Sequence, residues 1–275
     1  MSITRQLLRQ YMGRQVGDLT SLTATANGST TTFVDTTSLV SAVETAKGRD
    51  IIFTSTPNLG IIRRITAADM TTGTLTFAAV TSTVAGNTAE LYNFRGKGWR
   101  VEEYHDAINR AIASAFRPYY QPFNAVIAAV FDDATGDLTV PAGITHVEDL
   151  EFEDPNGIWQ TVPQAGGRGQ SGWWADQYAN TINVRDWRFT SLMDGQNLRL
   201  IGWTRPTLMT AETSVTYIDQ EWLISKASSL LCLSALDRDR ENYNRGMVFQ
   251  QEADRNEGAL RTRMSGKVRP LGYTQ

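Results

Sequence analysis

The side chains able to carry chemistry are few, and their spacing does little for it. Two carboxylates set across a cleft can hydrolyse a glycoside. The densest acidic groups are Glu102-Glu103 and the set Glu151, Glu153, Asp154. The first pair opens an expected helix, where acidic residues suit the positive end of the helix dipole. The second lies on an expected strand that runs into a turn. Nothing in either spacing separates an acid from a base. The segment 132–137 resembles a calcium loop only in its aspartates; it lacks the alternating ligands and the closing Glu.

Other constellations are thinner still. His105 and His146 are the two histidines, and neither belongs to a His-Glu-x-x-His pattern. Cys232 is the one cysteine, which excludes an intrachain disulfide and a multi-cysteine metal site. It falls in an apolar helical stripe, where an inert thiol is expected. The glycine-rich stretch 166–172 lacks the Gly-Lys-Ser/Thr of a phosphate loop and joins no strand to a helix. No catalytic residue, cofactor or metal is expected.

Residues suited to partners are more abundant. Trp159, Trp173, Trp174, Trp187 and Trp203 crowd one stretch of the chain. Tryptophan on a β surface binds sugars or proteins and is enriched at interface hot spots. Trp173 and Trp174 are adjacent, so on a strand one of them faces outward. The end of the chain carries Arg261, Arg263, Lys267 and Arg269, with Leu271 and Tyr273 among them. A solvated helix face explains such a strip, and so does docking on an acidic partner or beside DNA. These six residues, with Trp173 and Trp174, form the expected partner interface.

Composition sets the frame for these residues. The chain has 275 residues, 41% of them hydrophobic, and a net charge of −3. That is enough to bury a sizeable core, and it argues against disorder. Near-neutrality argues against a dedicated nucleic-acid binder. No apolar run approaches the roughly 20 residues of a spanning helix, so no membrane partner is expected. A reducing cytoplasm is the default compartment.

Helical steps of three and four appear over 2–15, with Ile3, Leu7, Leu8, Tyr11 and Met12 as the expected inward face and the arginines off it. Ser2 is the expected cap, and Gly13 and Gly17 the expected breaks. Similar periodicity marks 99–120 and the stretch from Tyr217 to about 264, read as a helical hairpin. Between 19 and 94 the texture is threonine-rich, with eight Thr from Thr20 to Thr37 and tight-turn signals such as Asn27-Gly28. Residues 124–203 return to strand texture, though the alternation over 146–153 is imperfect. The expected fold is α+β. A helical bundle forms its core, a small β-barrel or sandwich precedes it, and a second β domain is inserted between core helices. The expected division is a helix over 1–17, a β module over 18–97, the bundle over 98–122 and 213–264, the insert over 123–212 and an arm over 265–275.

This order of blocks is familiar. The run Tyr104-His105-Asp106-Ala107-Ile108-Asn109-Arg110-Ala111-Ile112 resembles the helix that opens the core of tailed-bacteriophage head–tail adaptor, or connector, proteins. The later run from Tyr217 through Trp222 to Leu231 resembles their second core segment. The block holding Thr31-Thr32-Phe33-Val34-Asp35 and Thr72-Gly73-Thr74-Leu75-Thr76 looks like a β module of phage virion proteins. The resemblance implies a non-enzymatic ring subunit in the virion neck, typically dodecameric and assembled in the host cytoplasm. Its partners would be the portal protein and a downstream tail or second connector protein, with genomic DNA passing through the channel. It also implies a ring core at 104–116 and 222–260, and a portal-facing arm at 265–275. The tryptophans leave a second reading open, a tail-associated carbohydrate- or receptor-binding protein. Glu151 and Glu153 leave a third, a glycan-degrading enzyme.

Overall fold

The threonine-rich block forms six antiparallel strands: β2 (Thr20–Thr23), β3 (Thr32–Val34), β4 (Asp50–Phe53), β5 (Ile62–Asp69), β6 (Thr74–Phe77) and β7 (Thr88–Tyr92). Their order is β2-β7-β4-β5-β6-β3. The sheet curls until its ends meet, where the Thr25 N–H donates to the Val34 carbonyl at 2.9 Å and Ala26 bridges to Val34. Closing a sheet on itself removes exposed edges. Alternation fills the interior with Leu22, Phe33, Ile51, Phe53, Ile65, Leu75, Phe77, Ala89 and Leu91. Phe53 meets Phe33 and Phe77 edge to face, with centroids 6.2 and 5.4 Å apart. The seam is secured by Asp35, whose carboxylate accepts from the backbone N–H groups of Thr23, Thr37 and Ser38 at 2.8–3.0 Å. Burial opposes its charge, but those N–H groups bring its pKa down overall. Gly73, at φ +65°, lies so close to the Asp35 carbonyl that an added Cβ would sit 2.2 Å from it.

Structure is described for residues 2–39, 46–92, 98–115, 121–127, 137–141, 144–165, 172–176, 181–184, 193, 196–234 and 240–265 in this computed structural model. Side chains are not described at 121–127, 137, 175–176 and 261–265. The chain divides into two compact units, Met1–Ser114 with Thr207–Gln275, and Ala115–Pro206.

Among the described residues the first unit holds four helices: α1 (Arg5–Val16), α2 (Val101–Ala113), α3 (Gln220–Leu233) and α4 (Arg240–Ser265). A short strand β1 (Ile3–Thr4) precedes α1 and pairs with β15 (Val215–Thr216). The expected helical bundle core is not found. Among the described residues the chain is mixed α and β, with fifteen strands and four helices. α3 packs on α4, α2 on α3, and α1 on both α2 and α3. Yet α1 and α2 are also fastened to barrel strand β7. The apolar periodicity signalled that each helix has an inward face, and it left unsaid that strands would cover part of it. Two local expectations also fail. Thr4, not Ser2, caps α1, its hydroxyl accepting from the Leu7 N–H at 3.3 Å, and Gly13 lies inside the helix. Gly17 ends it in the left-handed conformation.

The second unit contains β8 (Gln121–Ile127), β9 (Asp137–Thr139), β10 (Ile144–Glu153), β11 (Trp159–Val162), β12 (Trp173–Asp176), β13 (Thr181–Val184) and β14 (Leu198–Thr204). They form a four-stranded antiparallel sheet, β11-β10-β14-β8, and a three-stranded one, β12-β13-β9. Both sheets feed one core that includes Leu138, Val147, Leu150, Phe152, Trp173, Ile182, Leu198 and Leu200. The register of β10 against β14 shifts between Val147 and Asp149. That bulge explains the imperfect alternation, because it turns Val147, Leu150 and Phe152 to one face.

α3 and α4 approach closely at Gly246, where an added Cβ would lie 3.0 Å from both Cys232 Cβ and the Leu233 nitrogen. Gly246→Leu forces the helices apart and is expected to cost about 2–3 kcal/mol, as overpacking does. Chemical denaturation of the variant against the parent checks this.

Candidate functional site

One side of α1 buries Arg5, Leu8, Arg9, Met12, Gly13 and Val16. Leu7 and Tyr11, expected inside, are exposed. The helix is therefore turned about its axis so that two arginines face inward. The partner surface is β7. Its Ala89 and Leu91 point into the barrel, so alternation sends Glu90 and Tyr92 to the outer face beneath α1. Both faces of this strand are covered.

Arg9 is 0% exposed. Its Nε and Nη2 donate to Glu90 Oε2 at 3.2 and 2.9 Å, and its Nε also reaches the Tyr92 hydroxyl at 3.1 Å. Its Nη1 is bonded to Glu212 Oε2 and stands 3.1 Å from His105 Nε2. The Tyr92 hydroxyl donates to Glu90 Oε2 at 2.8 Å. Gln10 Nε2 donates to the other Glu90 oxygen at 2.5 Å. Arg5 Nε and Nη2 meet Glu212 Oε1 at 3.0 and 2.9 Å, and Arg5 Nη1 donates to the Met209 carbonyl at 3.1 Å. His105 Nε2 lies 3.1 Å from Glu212 Oε1. Two guanidinium groups thus answer two carboxylates in a desolvated space.

Sequence-distant elements are held by this cluster. Glu212 sits on the segment that returns from the second unit. That segment is also fixed by the Arg5 N–H donating to the Ser214 carbonyl at 3.0 Å. Asn109 of α2 pairs with the Met209 backbone in both directions, at 2.9 and 3.2 Å. Beside the cluster the Tyr92 and Tyr104 rings lie 4.9 Å apart. The Tyr104 hydroxyl donates to buried Asp18, which also accepts from the Trp99 N–H at 3.0 Å.

The electrostatics tell what the cluster can do. Burial raises the pKa of Glu212, but His105 and Arg9 outweigh it and hold the carboxyl at about 2. Burial works against the charge on Arg9, and Tyr92, Glu90 and Glu212 more than offset it, so its pKa is raised. Burial first, with Glu90 adding to it, pushes Tyr92 well above its ordinary value, so it stays a neutral donor. A carboxylate this acidic is a poor general base and is not protonated at neutral pH. The arrangement is a locked ionic joint, suited to holding elements in place.

The residues singled out from sequence fall elsewhere. Glu103 accepts from the Arg100 N–H at 2.7 Å, closing the start of α2. Glu151 is paired with Arg199, whose guanidinium stacks 4.3 Å from the Trp159 ring centroid. Glu153 accepts from Asn197 at 2.8 Å, and Asp154 holds a turn through the Asn156 and Ile158 N–H groups at 2.9 Å. These four carboxylates thus have structural occupations, and Glu102 lies exposed in the first turn of α2. His146 lies exposed on β10. Cys232 is buried, which pushes its thiol up to about 12. Trp173 is 0% exposed in the core of the second unit, out of reach of any partner in this state, while Trp174 is half-buried. Arg261 and Arg263 stand on α4. Lys267, Arg269, Leu271 and Tyr273 lie outside the described residues, as do residues 132–136 and 166–171 of the segments 132–137 and 166–172. Among the described residues no three His, Cys, Asp or Glu side chains gather as a metal would need. No described helix is long and apolar enough to cross a membrane.

Arg5, Arg9, Glu90 and Glu212 were not foreseen. The usable signal was Glu90 itself, a lone acid in a strand whose neighbours Ala89, Leu91 and Tyr92 are all buried. No protein-family model matches the chain, and no curated protein matches it.

Arg9→Met takes the guanidinium from buried Glu90 and leaves buried Glu212 with Arg5 and His105. It is expected to cost about 3–5 kcal/mol, seen as a melting temperature lowered by roughly 10 °C. Adding Glu90→Gln and Glu212→Gln to that variant is expected to recover part of the loss.

The low pKa of Glu212 predicts a pH dependence. Its folded-state value lies below the ordinary 4.5, so its contribution is complete above pH 4.5 and fades as pH falls toward 2. The stability gap between the parent and Glu212→Gln, on the order of 3 kcal/mol at neutral pH, is expected to close over that window. A gap that stays constant from pH 7 to 2.5 contradicts this assignment.

Proposed function

We propose that this chain is a structural subunit of the tailed-phage neck, a head–tail adaptor. It assembles as a ring between the portal protein and a downstream tail or second connector protein, around a channel that passes genomic DNA. The reading assigns the chain no catalytic group and no cofactor. The observation that supports it best is a division of labour among side chains. Four charges of the first unit, Arg5, Arg9, Glu90 and Glu212, turn inward and answer one another. Apolar groups suited to joining subunits turn outward: Leu7 and Tyr11 on α1, Val215 and Tyr217 beside β15, and Met247 and Val248 on α4. Tyr217 is 68% exposed. Leu7 and Tyr11, four residues apart, are neighbours on one face of α1; a contiguous apolar patch marks an interaction surface, and a ring subunit needs one on each flank.

The second reading, a tail-associated carbohydrate- or receptor-binding protein, began with the tryptophans. Burial of Trp173 leaves it, among the described residues, to Trp174, Trp203 and Trp159, whose ring is already covered by Arg199. The assembly reading is therefore preferred.

Negative-stain microscopy and light scattering of the purified chain, alone and with portal protein, test the proposal. Closed rings of one fixed copy number, the twelvefold ring implied by the resemblance, are the expected result. A chain that stays monomeric at tens of micromolar and ignores portal overturns it.

A further inference from the structure

α4 outruns the helix it packs on. The two run antiparallel, with Gly246 against Cys232 and Leu233, and Gln250 accepting from Lys226 Nζ at 3.1 Å and Ser229 Oγ at 3.2 Å. Carried on at that register, the first residue of α3 lies level with about residue 258 of α4. A Cβ added at Gly258 would meet nothing within 4 Å. Residues 259–265 thus run past α3 by roughly 10 Å at 1.5 Å per residue. Arg261 and Arg263 are on that overhang.

At its root lies a groove of about 380 Å³, lined among others by Gln15, Glu221, Ile224, Ser225, Glu252 and Arg255. Glu221 and Glu252 have no ion-pair partner among the described residues. With Arg255 the groove carries one net negative charge, and Ile224 is its apolar lining residue.

We propose that this groove receives the overhanging end of α4 from a second copy of the chain. Glu221 and Glu252 face the incoming Arg261 and Arg263. Each copy therefore offers an arm at one place and a socket at another. Contacts between unlike surfaces repeat head to tail and close into a ring when the rotation allows. The inference rests on the ring reading above and specifies the contact that builds the ring. Single exposed ion pairs contribute little, so the contact works as a set repeated at every subunit boundary.

The test uses two charge-reversed full chains. One carries Glu221→Arg with Glu252→Arg, the other Arg261→Glu with Arg263→Glu. Each alone is expected to sediment as single chains, with its melting temperature within a few degrees of the parent. Mixed one to one, the two are expected to regain rings, because every boundary is then either parental or fully reversed. Rings that persist in either variant alone overturn the socket and leave the ring reading standing. Variants that stay single when mixed also overturn the socket. A parent that never assembles overturns both readings.

Discussion

Arg9 is a guanidinium from which water has been removed, and the fold is arranged to make that tolerable. Stripping solvent from an ion costs several kcal/mol even after relaxation. The cost is offset only when every donor has an acceptor with good geometry. Here the acceptors come from three separate places: β7, α2 and the segment returning from the second unit. None of these elements can shift without leaving a buried charge exposed to nothing. The joint therefore selects one arrangement of helix, barrel and return segment more than it adds stability, since an apolar substitute for the whole set could be as stable. The two units differ in this respect. The second is held by an apolar core shared between two sheets, and its described ion pair, Arg199 with Glu151, is part-buried on the sheet.

Much of the local structure was legible. Threonine-rich alternation marked the barrel strands, because inward and outward residues must alternate on a pleated sheet, whereas Asn27-Gly28 forms no hairpin turn. Steps of three and four marked α2 and α3, whose buried residues Tyr104, Ile108, Ala111 and Ile112, and Trp222, Leu223, Ala227 and Leu231, follow that spacing. What could not be read was which object each face would meet. A helix stripe has the same form whether it packs on helices or on a strand, so the bundle core was a natural expectation and was overturned.

The joint was missed for a related reason. Hydropathy patterns place arginine outside, and for α1 they chose Leu7 and Tyr11 as inward. Burial of Arg9 depends on Glu90 and Glu212, which lie 81 and 203 residues away. No local pattern contains that information. Glu90 was the one partner with a visible anomaly, since its strand is buried on both faces. The β10 bulge is a milder case: it appeared in the sequence as broken alternation, and only the paired strand explains it.

The distance along the chain from Glu90 to Glu212 has a consequence for biosynthesis. Arg9, Glu90 and Tyr92 all leave the ribosome before the second unit begins, whereas Glu212 follows after it. At about 5–20 residues per second, the barrel waits on the order of ten seconds with half of its joint unmade. A nascent chain in that interval holds Arg9 with one carboxylate instead of two. The first unit reaches its final form only after the inserted domain has been translated, so the insert acts as a clock on the maturation of the unit that surrounds it.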